Sequence, residues 1–256
     1  MPLVYAAANQ KGGVAKTTSV HALGAALVDL GQRTLLVDLD PQACLTYSTG
    51  VDPDTLDLSL HDVFVGRRQA ADVLVKTDRG LSLLPANIDL AGSELHLLTK
   101  TGREFALRAA LKPLGEEYDV ILVDCPPSLG ILTINGLTAA HEVLVPLQCE
   151  TLSHRGVGQL LETIDDVRAY TNPDLTIRGV IATMFDARTN HAKQMLAEVG
   201  TQYGLSVLDP PIAKSIRFAE APGQGKSILD HAPASPGAEA YRQLAALLVP
   251  EAAPRP

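Results

Sequence analysis

The stretch Leu3 to Leu30, LVYAAANQKGGVAKTTSVHALGAALVDL, limits what this chain can become more than any other. Leu3 to Ala8 is a short apolar run bounded by a loop, the pattern of a parallel strand buried on both faces. Beyond the loop, Val20, Leu23, Leu27 and Leu30 recur at helical spacing, and Gly31 stands where a C-terminal cap belongs. Between strand and helix lie Lys11, Gly12, Gly13, Val14, Ala15, Lys16, Thr17 and Thr18. Free backbone N–H groups and the helix dipole attract anions there, and glycines let those groups approach phosphate oxygens closely. The stretch predicts a phosphate cradle in which Lys16 reaches the β- and γ-phosphates and Thr17 offers its hydroxyl to Mg²⁺. The plainer alternative is a glycine turn that only joins a strand to a helix.

Two further apolar strands end in carboxylates. Arg33 to Asp40, RTLLVDLD, brings Asp38 and Asp40 out on one face at its C-terminal end, the edge where open α/β sheets bind ligands, and Pro41 stops the ladder. One of these carboxylates suits a magnesium shell through water and the other the orientation of an attacking water; capping of neighbouring backbone is the competing use. Tyr118 to Asp124 is the third such strand, and Asp124 reads as a carboxylate that binds Mg²⁺ through water. Cys125 beside it reads as a small buried thiol.

The rest of the chain is ordinary for a globular α/β protein. An apolar share of 46% with 20% charged residues allows a sizeable core in 256 residues. Cys44, Cys125 and Cys149 are too few and too unevenly spaced for a disulfide framework or a zinc site. With no basic-then-apolar leader and no apolar run near the ~20 residues that span a bilayer, a soluble cytoplasmic protein is expected. A net charge of −8 argues against a nucleic-acid footprint over the whole surface. Asp186 to Lys226 stands apart, with five lysines and arginines against four carboxylates. Further elements are expected at Leu60 to Phe64, Glu104 to Leu114, Leu160 to Tyr170 and Gly237 to Leu248 as helices, and at Leu81 to Pro85, Glu142 to Leu147, Thr176 to Met184 and Leu205 to Leu208 as strands. Residues 50 to 76 carry no assignable chemistry. The Met184-Phe185 pair at a strand end suits a core, and Arg188 and Arg217 suit solvated surface.

The loop departs from G-x-x-x-x-G-K-[ST], which wants glycine at Gln10 and Ala15. It resembles instead K-G-G-x-x-K-[ST], the deviant Walker A motif of the ParA and MinD family. That resemblance runs from residue 3 to about 248 through the D-x-D of Asp38 and Asp40, the D-x-P-P-S turn from Asp124, Gln148-Cys149-Glu150, Met184 to Thr189 and SIRFAEAP from Ser215. It implies a three-layer α/β fold, a mostly parallel twisted sheet flanked by helices, in one ATPase domain over residues 1–249 with a short disordered tail at 250–256. It also implies ATP or ADP with Mg²⁺ held by Thr17, Asp38 and Asp124, and hydrolysis by Lys11, Lys16 and Asp40. The adenine would lie near Met184, Phe185, Pro211 and Ile212. Lys11 would cross the interface of an ATP-bound homodimer, and the role of Glu150 at the nucleotide or dimer face is left open by the divergent Thr151-Leu152-Ser153-His154 after it.

A small ParA- or Soj-like partition ATPase is therefore expected, with a ParB-type partner and non-specific DNA contacts from Arg188, Lys214 and Arg217. The basic membrane helix of MinD proteins is missing from LAALLVPEAAPRP, so no membrane partner is expected. The rival is a positioning or assembly ATPase with a protein cargo and no DNA; a small-molecule ligase or an iron–sulfur reductase on this fold is weaker. Most family members have glycine in place of Ala15, and a negative φ is expected here for alanine.

Overall fold

The computed structural model describes residues 1–77, 79–149 and 153–249. Its strands are β1 (Leu3–Ala7), β2 (Thr34–Asp38), β3 (Val75–Lys76), β4 (Ser82–Leu84), β5 (Val120–Asp124), β6 (Glu142–Gln148), β7 (Thr176–Thr183) and β8 (Val207–Leu208). They form one sheet in the order β3-β4-β2-β5-β1-β6-β7-β8, parallel except for the short β3 at one edge. The central strands are apolar along their length because both faces are covered by helices. Side chains alternate between two cores. Leu35, Val37 and Leu39 join one core, whereas Leu36 of the same run joins the other with Tyr5 and Ala7.

The helices are α1 (Lys16–Asp29), α2 (Cys44–Ser48), α3 (Leu60–Phe64), α4 (Leu90–Leu98), α5 (Ala106–Leu111), α6 (Ile131–Ala139), α7 (Ser153–Tyr170), α8 (Asn190–Tyr203), α9 (Arg217–Glu220), α10 (Ile228–His231) and α11 (Pro236–Ala246). Helix α1 ends as its sequence predicts. Gly31 takes φ 78, its N–H reaches the Val28 carbonyl, and the Gln32 N–H reaches that of Leu27, closing the last turn. Inside α1, Gly24 lets the helix lie on the sheet; a Cβ there would come within 2.6 Å of Leu36.

Strand order positions the site. β1 lies between β5 and β6, with Ala7 in register with Asp124, and Asp124 is in turn in register with Asp38 of β2. The phosphate loop and both strand-end carboxylates therefore share one edge, next to the point where strand order reverses: β1 leads on to β2 on one side and its neighbour β6 to β7 on the other.

Three expectations change. The run Glu104 to Leu114 is divided into a 3₁₀ turn at Arg103–Phe105, α5, and a second turn at Lys112–Leu114; Pro113, which lacks an N–H and disfavours helix before it, ends α5. Phe105 is consequently 38% exposed, while Leu107, Leu111 and Leu114 are buried. Strand β3 and helices α2, α4, α6, α8, α9 and α10 add to the expected elements; α6 is buried nearly all round and so lacks an apolar stripe. The expectations for Glu150 and for the tail at 250–256 lie outside the described residues. Among the described residues no helix is long and apolar enough to cross a membrane.

Candidate active site

The loop between β1 and α1 is held by its own groups and by neighbouring strands. Asn9, nearly fully buried, donates to the Pro146 carbonyl at 2.8 Å and accepts the Lys11 N–H at 3.0 Å. Thr183, at the end of β7, donates to the Val14 carbonyl at 3.0 Å. The Lys16 ammonium folds back over the loop and donates to the Lys11 carbonyl at 3.0 Å. Gly12 and Gly13 are exposed, and Gly13 takes φ 73. The Val14 side chain is fully buried, so only its main chain can face a ligand.

Ala15 corrects the sequence reading. It takes φ 63 and ψ 35, the left-handed region, and as the residue before α1 its carbonyl accepts the Ser19 N–H at 2.9 Å. The Val14 carbonyl is tied to β7 on one side and the helix begins on the other, so the chain has one residue in which to turn. The conformation is retained although a Cβ there costs about 1–2 kcal/mol.

Carboxylates line up beside this loop. The Thr17 hydroxyl donates to Asp124 Oδ2 at 2.6 Å. Asp124 is buried, and its Oδ1 has no hydrogen-bond partner among the described residues. Burial, and next the Asp38 charge, push the Asp124 carboxyl well above the usual carboxylate range. Lys16 is moved down by burial, opposed first by Asp124. A buried oxygen without a partner beside a hydroxyl fits a hard cation that prefers oxygen ligands. Among the described residues no cluster of three or more His, Cys, Asp or Glu side chains could hold a metal ion.

Asp38 is placed differently from Asp124 and Asp40. It is fully buried and does not line the cavity; Oδ2 accepts both the N–H and the hydroxyl of Thr46 at 2.8 Å, and Oδ1 accepts the Asp40 N–H at 3.1 Å. Its two oxygens are engaged within the protein, unlike Oδ1 of Asp124. Asp40 is only half-buried, lines the cavity and accepts the Gln42 N–H at 2.9 Å. Cys125 is buried and burial pushes its thiol up, which leaves no nucleophile there.

The cavity encloses about 850 Å³. Its floor is the loop from Gly12 to Thr18, and Met184, at φ 50, and Ile212 stand on one wall. Phe185 and Pro211 do not line it. Phe185 instead packs on a small cluster with Ala192 and Met195 of α8, which its position one residue beyond Met184 dictates. Phe218, which lies within the SIRFAEAP motif but outside the expected site residues, and Tyr241, which no sequence motif marks, also line the cavity, edge to face with ring centres 6.0 Å apart. Tyr241 sits in α11, which packs on α1, and its hydroxyl contacts that of Ser19 at 2.8 Å.

The three basic residues come from neighbouring segments, joined by a bridge between Phe185 and Ala213. Arg188 is 90% exposed at its side chain and chelates Asp186 through two 2.9 Å bonds, which hold the Asp186 carboxyl down at about 2. Arg217 pairs with Glu220 at 3.0 Å, and Lys214 is exposed at the cavity lining. Each arginine is thus partly offset by a carboxylate.

This chain matches the model of an AAA domain over residues 3–177. It is 43% identical over 246 residues to the sporulation initiation inhibitor protein Soj of Bacillus subtilis, covering 96% of this chain and 97% of that one. It is 42% identical over 248 residues to the chromosome partitioning protein ParA of Myxococcus xanthus, covering 96% and 88%. A crystal structure of cobyrinic acid a,c-diamide synthase from Mycobacterium smegmatis with bound ADP and magnesium superposes with a TM-score of 0.87 at 54% identity, over 97% of this chain and 94% of that one.

Proposed function

The chain belongs to the ParA and Soj family of P-loop ATPases, and from that membership we propose a partition ATPase whose ATP-bound homodimer holds DNA irrespective of sequence. Residues 1–249 act as one ATPase domain. The main chain from Gly12 to Thr18 and the Lys16 ammonium bind the phosphates, and Met184 and Ile212, with Phe218 beside them, take the base. Thr17 and the free oxygen of Asp124 hold magnesium, which when bound neutralises phosphate charge. Asp40 orients the attacking water, and Lys11 reaches the phosphates of the second copy. The observation that carries this reading is the 2.6 Å contact of Thr17 with Asp124, one of whose buried oxygens has no partner, beside a buried Lys16.

Arg188, Lys214 and Arg217 touch DNA phosphates. Because both arginines are partly offset, one copy binds weakly and two patches in a dimer raise avidity. A ParB-type centromere-binding partner stimulates hydrolysis and releases the DNA.

A second reading starts from the M. smegmatis relative, named for the synthesis of a cobyrinic acid diamide. Amide formation from a carboxylate also needs phosphoryl activation, which the same phosphate site would serve. Co-sedimentation with DNA, with and without ATP, separates the readings: ATP-dependent binding is expected. Binding absent in both states would refute the DNA role and leave a protein-cargo ATPase, and ATP turnover that requires cobyrinic acid and an ammonia source would favour the synthase.

A further inference from the structure

Thr46 lies in α2, eight residues beyond Asp38, and is fully buried. A buried hydroxyl is costly unless it is bonded, and this one is used as donor and acceptor together. Its Oγ1 donates to Asp38 Oδ2 at 2.8 Å and accepts the Ala86 N–H, just past β4, at 2.9 Å. The Thr46 N–H donates to the same Asp38 oxygen at 2.8 Å. The remaining oxygen of Asp38 accepts the Asp40 N–H.

Asp40 is gripped at its carbonyl as well. That oxygen accepts the Ala43 N–H at 2.8 Å, and Ala43 takes φ 52, a left-handed conformation for an alanine. A continuous chain of hydrogen bonds therefore runs from the end of β4 through Thr46 and Asp38 to the main chain of Asp40. At its far end only the Asp40 side chain faces the cavity. We propose that Thr46 is a positioning residue for ATP hydrolysis, whose hydroxyl fixes the Asp38 carboxylate as a clamp on the Asp40 main chain and so aims Asp40 at the γ-phosphate.

Removing the hydroxyl leaves Asp38 Oδ2 with one donor fewer and the Ala86 N–H without its acceptor. The carboxylate can then rotate, and the Asp40 turn loses the contact that orients it. Misplacement of a catalytic group by about 1 Å can cost up to roughly 100-fold in rate. The inference rests on the reading of Asp40 as the residue that orients water.

The experiment compares Thr46→Val, Thr46→Ser and Asp40→Ala, alone and with Thr46→Val added to Asp40→Ala, in the full-length protein. Thr46→Val is expected to lower kcat roughly 10- to 100-fold with KM for ATP and ADP affinity within about twofold. Thr46→Ser should restore kcat, and Thr46→Val should add nothing to Asp40→Ala, since it acts through the residue already removed. If Thr46→Val does not fold, Thr46→Cys, with its weak thiol donor, replaces it with the same expectation. Unchanged kcat in the folded variant, failure of serine to rescue, or a further loss in the Asp40→Ala background would each overturn the clamp. Wild-type turnover by Asp40→Ala would instead refute the role of Asp40 itself, so the two failures are distinguishable.

Discussion

Ala15→Gly should stabilise this protein, although glycine in a helix interior usually does the reverse. At φ 63 the alanine Cβ crowds the following carbonyl, at a cost of about 1–2 kcal/mol. Glycine removes that crowding, but its freer unfolded chain takes back about 0.4–1 kcal/mol. The net gain is about 1 kcal/mol. For 256 residues the unfolding entropy is about 0.5 kcal/mol/K, so the thermal midpoint should rise by about 2 °C. Gly13→Ala is the matched control. Gly13 sits at φ 73, and an added Cβ would meet no atom within 4 Å, so its substitution tests backbone strain alone and should lower the midpoint by a similar amount. Both variants are read by thermal and urea unfolding without nucleotide. A midpoint for Ala15→Gly at or below that of the parent, alongside the expected loss in Gly13→Ala, would refute the strain assigned to Ala15.

Lys16→Ala should abolish ATP binding in a calorimetric titration, because the buried ammonium is the positive charge folded over the loop; retained affinity would contradict the cradle. Arg217→Glu should weaken ATP-dependent DNA binding at low salt and leave nucleotide affinity unchanged, measured by co-sedimentation across a salt series. Stability should fall as pH drops from about 6.5 to 4. Burial, reinforced by Arg79, holds His21 down at about 4, so over that window the unfolded chain takes up a proton that the folded chain refuses. The full loss is about 3 kcal/mol at most. His21→Gln should flatten this part of the urea-midpoint profile, and an unchanged slope would count against it.

Local pattern carried most of the scaffold. Strands β1, β2 and β5 are continuous apolar runs with a carboxylate or a glycine loop at one end, so both their existence and their ligand edge follow from adjacent residues. Helix α6 was not legible in the same way, because a helix buried on every side shows no stripe. The broken segment at Arg103–Leu114 had its warning in Pro113, which a count of apolar spacing overlooks. Among site residues, Met184 and Ile212 reach the cavity whereas their neighbours Phe185 and Pro211 do not, and at Met184 the chain leaves β7 through a left-handed turn that no local pattern announces.

The sequence by itself determined that a lysine- and glycine-rich loop opens a helix after a buried strand, that two other strands end in aspartate, and which family these belong to. Those features are local, set by neighbours within a few residues. Tertiary structure alone decided what each aspartate touches. Asp38 and Asp124 are alike in sequence, each closing an apolar strand, and they lie in register. Thr46, brought in by α2, occupies the oxygens of one together with the Asp40 N–H, while the other keeps an oxygen free beside Thr17. The same division explains Ala15, whose left-handed backbone is imposed by the tie from Val14 to Thr183, two residues 169 positions apart. Contacts over such separations leave no periodicity or spacing to read.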